Sequence, residues 1–495
     1  MKIAIYSHSI PPAVDGVSRR MASLVQQLSK DGHEVFLFTL EKDPQLAAVS
    51  PKGSTPIRHG TYVTLASTFL RVYPTKRVAA PILSNMMLVL NVMRREKPDV
   101  MHCTMDAISP FLILASRMNN VPVVGSVHTD VQELLSEMRV WPIVGFVTGL
   151  KEGAESRLLD SCATTSPSFQ KKLAQRGVLS DHIMKTGVAV DLFRPGARQD
   201  NAEVRNRLTF GNPDGLLVVY VGRFGPEKRI DQLLAMCGSV DGVYLALIGD
   251  GAMGKRLSER HGSWSEQGNR PTRGGVYCRP SFLGHEDLAP VYATADVHVS
   301  CSHFETLGNT VLEAHACGTS VVVPKAQGFV DTVGHEEDGF LFDGMRLSEG
   351  AAFLVRLRDD RALCRRMGER GRKKVQLQSP ERVARDMLHW YRRACVVAKP
   401  PNVLGAALEC ARWISSVMAC AGMALFVVSS WFALDAGHGF AVAAWFALDA
   451  GQGCTRNFIR YCQNTRNMLG NSSFFNKISN TYKALSSIPV ERERR

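Results

Sequence analysis

Twelve cysteines are scattered through 495 residues, yet no two form a Cys-x-x-Cys pair, and most, such as Cys162, Cys301 and Cys317, fall in apolar runs. The lack of close pairs argues against a metal cluster or a disulfide framework and for small core residues in a reducing compartment. Basic residues interleaved with aromatics, the mark of an RNA-binding surface, are also missing, so the formal net charge of +13 is not read as nucleic-acid binding. Much of that excess lies in Arg-rich stretches such as 356–374. Positive charge of this kind attracts anions, which leaves nucleotide phosphates and an anionic membrane surface. No leader is read either: Met1-Lys-Ile-Ala-Ile-Tyr6 has the pattern of a buried strand, so folding is expected to begin at residue 1, in the cytosol. A composition of 45% hydrophobic and 21% charged residues suits neither disorder nor a fibrous repeat, and the length allows more than one domain.

Short apolar runs alternate with helical stretches, the pattern of a parallel sheet wrapped by helices. Strands are expected at 3–7, 34–39, 100–103, 123–127 and 162–165, with a helix over 17–30. The turn residues of Asp191-Leu-Phe-Arg-Pro-Gly196 break the series. A second series follows at 216–221, 243–248, 276–283, 297–300, 320–324 and 339–341. This predicts an α/β protein of two doubly wound, Rossmann-like domains, residues 1–190 and 191–378, facing an interdomain crevice. The Gly-rich insert 262–275 reads as a surface loop. A helix over 379–395 closes the globular part, with Val383, Met387, Trp390 and Tyr391 on one side. Residues 396–495 form an apolar tail. Within it 414–434 is 21 residues without a formal charge, long enough to span a bilayer, although its serines also suit a buried or surface-lying helix. Trp-Phe-Ala-Leu-Asp-Ala-Gly occurs at 431–437 and again at 445–451, too few copies for a solenoid. Basic residues flank both sides of the segment and leave its topology open.

The chemistry concentrates at the carboxyl ends of the expected strands, where open α/β sheets bind ligands. In His303-Phe-Glu-Thr-Leu-Gly-Asn-Thr-Val-Leu-Glu313, Glu305 lies in a turn and Glu313 about two helical turns further on. That separation is comparable to the reach of a nucleotide sugar from hexose to ribose. One carboxylate could accept from sugar hydroxyls and the other from a ribose, while amides at the helix start receive phosphate. Taken alone, two glutamates at this spacing are more often a solvated pair. Gly16, in the turn-rich loop after the first strand, would let backbone approach a phosphate or sugar. Arg223 and Lys228, in Gly222-Arg-Phe-Gly-Pro-Glu-Lys228, could neutralise a diphosphate leaving group. Phe282 and Leu283 precede a turn whose backbone could read a base edge, and His128 in Ser126-Val-His-Thr-Asp130 sits at a first-domain strand end.

These motifs, with Gly187-Val-Ala-Val-Asp-Leu-Phe-Arg-Pro195, resemble those of family 4 glycosyltransferases of the GT-B fold, over residues 1 to about 394. Within that family the likeness is to the sulfoquinovosyltransferases of sulfolipid synthesis and related lipid mannosyl- and glucosyltransferases. The resemblance implies an acceptor-side first domain and a second domain that binds a nucleotide sugar. It places Gly16 against the donor, His128 beside the transferred sugar, Arg223 and Lys228 on the diphosphate and Glu305 on sugar hydroxyls. Backbone amides of Thr306, Leu307 and Gly308 join them, Glu313 takes the ribose, and Gly222, Phe282 and Leu283 complete the donor site. It also implies retention of anomeric configuration, no metal and no cofactor. Asn309 departs from a usual bulky apolar residue, and His315 and Cys317 depart from a Met-Ala/Ser pattern, which bears on the donor.

The expected activity is transfer of a hexose from a nucleotide sugar to a lipid acceptor, sulfoquinovose from UDP-sulfoquinovose to diacylglycerol before the alternatives. Those are a GDP-mannose- or UDP-glucose-dependent lipid glycosyltransferase and, in another class, a catalytically inactive membrane-bound scaffold. The joint presence of Arg223, Lys228, Glu305 and Glu313 argues against the last. Residues 62–95 mix apolar side chains with arginines and lysines and suit docking on an anionic membrane as well as an ordinary core helix. The protein is therefore expected to be membrane-associated with its catalytic domains facing the cytosol.

Overall fold

The computed structural model describes residues 1–10, 15–40, 60–70, 73–79, 83–106, 108–137, 142–195, 201–212, 214–261 and 274–398. The candidate span 414–434, the duplicated heptapeptide and most of the Gly-rich insert lie outside these residues.

The first half runs β1 (Lys2–Tyr6), β2 (Glu34–Leu40), β3 (Gly60–Leu65), a hairpin of β4 (Ser67–Leu70) and β5 (Tyr73–Ala79), β6 (Val100–Thr104), β7 (Val123–Val127), β8 (Ser161–Thr164) and β9 (His182–Ile183). All but the hairpin form a seven-stranded parallel sheet in the order β3-β2-β1-β6-β7-β8-β9. The second half adds β10 (Leu216–Val221), β11 (Val243–Gly249), β12 (Gly274–Pro280), β13 (Val297–Val299), β14 (Ser320–Pro324) and β15 (Gly339–Phe342). These make a six-stranded parallel sheet ordered β12-β11-β10-β13-β14-β15. Both sheets are covered by helices on two faces, which is why Leu216–Val221 and Val243–Gly249 are buried at every position and read as unbroken apolar runs.

Strand order reverses between β1 and β6 and again between β10 and β13, so each sheet opens a crevice at the carboxyl ends of those strands. The two crevices face one another, as the GT-B resemblance implied. Helix Pro380–Val397, capped by Ser379 and started by Pro380, returns to the first domain. Its Val383, Met387, Trp390 and Tyr391 are buried in the core that also holds Ile3, Ile5, Leu24 and Leu28.

Three details differ from the sequence reading. Residues 62–95 hold the end of β3 and an antiparallel hairpin before helix Leu83–Glu96, so a helix accounts for only the second part of that stretch. β12 stops at Pro280, which puts Phe282 and Leu283 in the following loop. β9 has two residues, too short to leave any periodic signal. Among the described residues no helix is long and apolar enough to cross a membrane.

Candidate functional site

The loops after β1, β7, β10, β11, β12 and β13 converge on an interdomain cleft with a cavity of about 200 Å³. Gly16 and His128 line it from the first domain; Gly222, Arg223, Lys228, Phe282, Leu283, Glu305, Thr306 and Leu307 line it from the second. Gly308 and Glu313 stand behind this wall. Among the described residues no group of three or more His, Cys, Asp or Glu side chains is placed to hold a metal ion.

Local chemistry sets each position. Asp15 caps helix Gly16–Lys30 by accepting from the Ser18 amide at 2.8 Å. A Cβ on Gly16 would fall 2.8 Å from Asn309 Nδ2, so the close approach that glycine permits there is to the opposite domain. Gly308 precedes helix Asn309–Ala316 at φ +87, a left-handed conformation that suits glycine. It turns the chain so that Glu305, Thr306 and Leu307 face the cleft while Glu313 is carried into the interior.

Of the cations and carboxylates expected at the donor, Lys228 and Glu305 are in contact. Lys228 Nζ lies 3.0 Å from Glu305 Oε2 and 3.5 Å from the Phe304 carbonyl. Arg223, whose side chain is 34% exposed, lies 3.3 Å from Glu227 Oε1. Glu313 is 6% exposed and holds two donors. Arg19 reaches its Oε1 at 2.7 Å from across the cleft, and the Tyr292 hydroxyl donates to its Oε2 at 3.1 Å. Burial, reinforced by Glu313, holds the Tyr292 phenol well above its ordinary range, so it remains a donor. The attraction of Glu313 raises the Arg19 guanidinium against the opposing effect of burial.

His128 is fixed by a buried relay. Arg20 donates to its Nδ1 at 2.7 Å, its Nε2 lies 2.8 Å from Ser126 Oγ, and that hydroxyl lies 2.8 Å from His102 Nε2. His102 Nδ1 lies 2.8 Å from the Tyr391 hydroxyl, so the relay ends on helix Pro380–Val397. An arginine can only donate, so His128 Nδ1 is the acceptor and its proton sits on Nε2. Ser126 then donates to His102, whose own proton sits on Nδ1 and points at Tyr391. Burial lowers the His102 imidazole to about 3, which keeps it neutral as the relay requires.

Further bonds join the domains. Thr306 Oγ1 donates to the His128 carbonyl at 2.8 Å and Thr165 Oγ1 to the Thr306 carbonyl at 2.9 Å. Asn309 Nδ2 donates to the Gly16 carbonyl at 3.2 Å while its Oδ1 accepts from Thr186 at 3.0 Å. The Ser168 amide donates to Asp331 at 3.0 Å.

Sequence reasoning singled out neither Arg19, Arg20, Thr186 nor Tyr292, and took Asn309 only as a departure from a family pattern. One signal was present. Arg20 follows Val17 by three and precedes Leu24 by four, which puts it in the apolar stripe of its helix, where a cation must have partners. The cleft as a whole offers cations, a carboxylate at the wall and helix-start backbone to a ligand that is both anionic and rich in hydroxyls.

Residues 14–194 match the family model described as Glycosyltransferase Family 4, and residues 205–374 match Glycosyl transferases group 1. A GDP-mannose-dependent alpha-mannosyltransferase of Mycobacterium tuberculosis is 29% identical over 75% of this chain and 93% of its own length. Its counterpart from Mycolicibacterium smegmatis is 30% identical over 69% of this chain and 84% of its own. Sulfoquinovosyl transferase SQD2 of Arabidopsis thaliana is 27% identical over 76% of this chain and 70% of its own. In fold the chain is similar to sucrose-phosphate synthase from Thermosynechococcus elongatus, with a TM-score of 0.63 at 23% identity over 80% of this chain and 100% of that one. It is also similar to Anabaena HepE in complex with UDP-glucose, with a TM-score of 0.60 at 18% identity over 79% of this chain and 100% of that one. The chain belongs to the family 4 glycosyltransferases and is a glycosyltransferase of the two-domain GT-B fold.

Proposed function

We propose that this glycosyltransferase retains anomeric configuration and moves a hexose from a nucleotide sugar to a lipid, the pair being UDP-sulfoquinovose and diacylglycerol. The observation that carries the reading is the placement of Arg223, Lys228 and Glu305 opposite Gly16 and His128 across one cleft. In this reading Arg223 and Lys228 take the diphosphate, whose negative charge grows as the bond to C1 breaks, and Glu305 takes sugar hydroxyls. Fixed cations aimed at developing charge are usually the largest catalytic contribution. The electron pair of the C1–O bond leaves on the phosphate oxygen, and the acceptor hydroxyl attacks C1 on the same face. Its proton passes to the departing phosphate. Each Glu313 oxygen accepts one bond already, and a carboxylate oxygen has a second lone pair for a ribose hydroxyl. The contacts between the domains keep water from the donor, which it would hydrolyse.

The lipid acceptor rests on helix Leu83–Glu96 and its surroundings. Tyr62, Met87 and Leu88 are 52%, 50% and 36% exposed there, and Arg94 and Arg95 are exposed beside them. An apolar face with basic edges suits an anionic bilayer and keeps the catalytic domains on the cytosolic side.

The GDP-mannose reading is kept because the two mycobacterial relatives match over larger shares of their own lengths, 93% and 84%, than the 70% of the plant protein. Thermal unfolding with UDP, GDP or ADP separates the two, since a ligand stabilises the state that binds it, by about 2.7 kcal/mol at a hundred times its Kd. A shift with UDP alone is expected; a shift with GDP alone would replace UDP-sulfoquinovose by GDP-mannose.

A further inference from the structure

Arg20 is 4% exposed, lines the cleft, and donates from Nε to Thr186 Oγ1 at 2.7 Å as well as to His128 Nδ1. Both partners are neutral, and so is the whole relay behind His128. Among the described residues no carboxylate forms an ion pair with Arg20; the acidic group whose field it feels is Glu305, which already carries Lys228. Burial lowers the guanidinium to about 10, so it is still charged at neutral pH. A buried charge held only by neutral acceptors is costly, and folded proteins keep such a charge paired. Its pair is therefore to be sought in the cleft.

The position of Arg20 narrows what that pair is. In the reading above, the diphosphate is met by Arg223 and Lys228 from the second domain. Arg20 comes from the first domain, bonded to His128, the residue placed beside the transferred sugar. A third cation at that point matches charge on the sugar rather than on the diphosphate. Arginine adds geometry, since its planar fork suits a carboxylate or sulfonate.

We propose that Arg20 reads an anionic substituent on the transferred hexose, a sulfonate or carboxylate on its exocyclic carbon, and so selects the donor. The His128–Ser126–His102–Tyr391 relay positions it: by fixing His128 with Nδ1 as acceptor, the relay aims the guanidinium without neutralising it. This inference rests on the sugar position taken above and extends it to the chemical class of the sugar.

The test measures kcat/KM of the full-length protein for UDP-sulfoquinovose, UDP-glucuronate, UDP-glucose and GDP-mannose, with diacylglycerol as acceptor, in wild type, R20Q and R20K. The wild type is expected to prefer an anionic hexose to UDP-glucose by at least about tenfold. R20Q should lower that ratio by about tenfold or more, to near one, chiefly through KM, on the scale of a charge-assisted hydrogen bond. R20K, which keeps the charge and loses the fork, should fall between. Equal loss on charged and neutral donors would make Arg20 merely structural and overturn the inference. So would a wild type indifferent to the charge, a result that stands even if the variants do not fold. A change confined to the KM of diacylglycerol, the same with every donor, would reassign Arg20 to the acceptor and overturn the inference. Use of UDP-sulfoquinovose with a ratio unchanged in R20Q sinks this inference alone, whereas use of GDP-mannose and no UDP-sugar sinks the reading beneath it.

Discussion

Arg19→Ala tests how the cleft is held. It removes the guanidinium 2.7 Å from Glu313 Oε1 and leaves a carboxylate that is 6% exposed with the Tyr292 hydroxyl as its remaining donor. At an effective dielectric of about 20 the lost attraction is roughly 6 kcal/mol before desolvation is counted. Breaking a buried pair by removing one partner costs about 3–5 kcal/mol. The Arg19 side chain is 23% exposed, so water enters behind it and about 2 kcal/mol is the expected net loss. In thermal unfolding at pH 7 that is a fall in Tm of about 4 °C. Adding Glu313→Gln supplies the control: the amide carbonyl still accepts from Tyr292 while the stranded charge is gone. The double variant should regain at least half of the loss. A single variant within about 0.5 kcal/mol of wild type, or a double variant whose loss is the sum of the two single losses, would show that the pair does not hold the cleft.

Lys228→Ala should cut turnover of a labelled nucleotide sugar by about 10²-fold, the scale of one lost preorganised donor, and normal turnover would remove Lys228 from the site. Burial lowers His102 and His298 to about 3 and His315 to about 4, against an ordinary 6.5. All three are neutral in both states at pH 7, and below about 6.5 the unfolded chain takes protons that the native state refuses. Each then removes about 1.4 kcal/mol of stability per pH unit until its folded value is reached. Glu152, raised to about 7 by burial, acts the other way, its protonated form stabilising below about 4.5 and losing that effect as pH rises through 7. For these four groups the net of two protons is a loss of roughly 3 kcal/mol per unit between pH 6 and 5; the lowered His33, His182, His261 and His285 add to it and the raised Glu133 and Glu155 oppose it, and urea midpoints that do not fall over that window would contradict it. Protein truncated after Ala398 should float with anionic liposomes and not with neutral ones, and flotation that needs the tail would remove surface docking.

The sheets were legible because strands buried on both faces carry no alternation: Leu216–Val221 and Val243–Gly249 announce themselves by unbroken apolar residues. β3 and the β4–β5 hairpin were not, since among the described side chains Gly60–Leu65 buries only Val63 and Leu65 and carries no unbroken apolar run, and the hairpin stands outside both main sheets. Motif residues such as Lys228 and Glu305 were visible because each follows a strand end. Their mutual bond was not, because it joins loops 77 positions apart. Arg19 and Arg20 show the same limit from the other side. Neither of these adjacent arginines was singled out, since their partners lie far off in sequence: one crosses the cleft to a buried carboxylate and the other bonds a histidine at the end of β7. Helix Pro380–Val397 was foreseen as a closing element, while the bond from Tyr391 to His102 that ends the relay depends on where the helix returns.

The most direct test of the account is mass spectrometry of the lipids formed when the purified full-length protein is given diacylglycerol with UDP-sulfoquinovose, UDP-glucose or GDP-mannose. The account predicts sulfoquinovosyl diacylglycerol with its α configuration retained, absent when Lys228 or Glu305 is replaced by alanine. A product from GDP-mannose alone, an inverted anomer, or no glycolipid from any donor would contradict it.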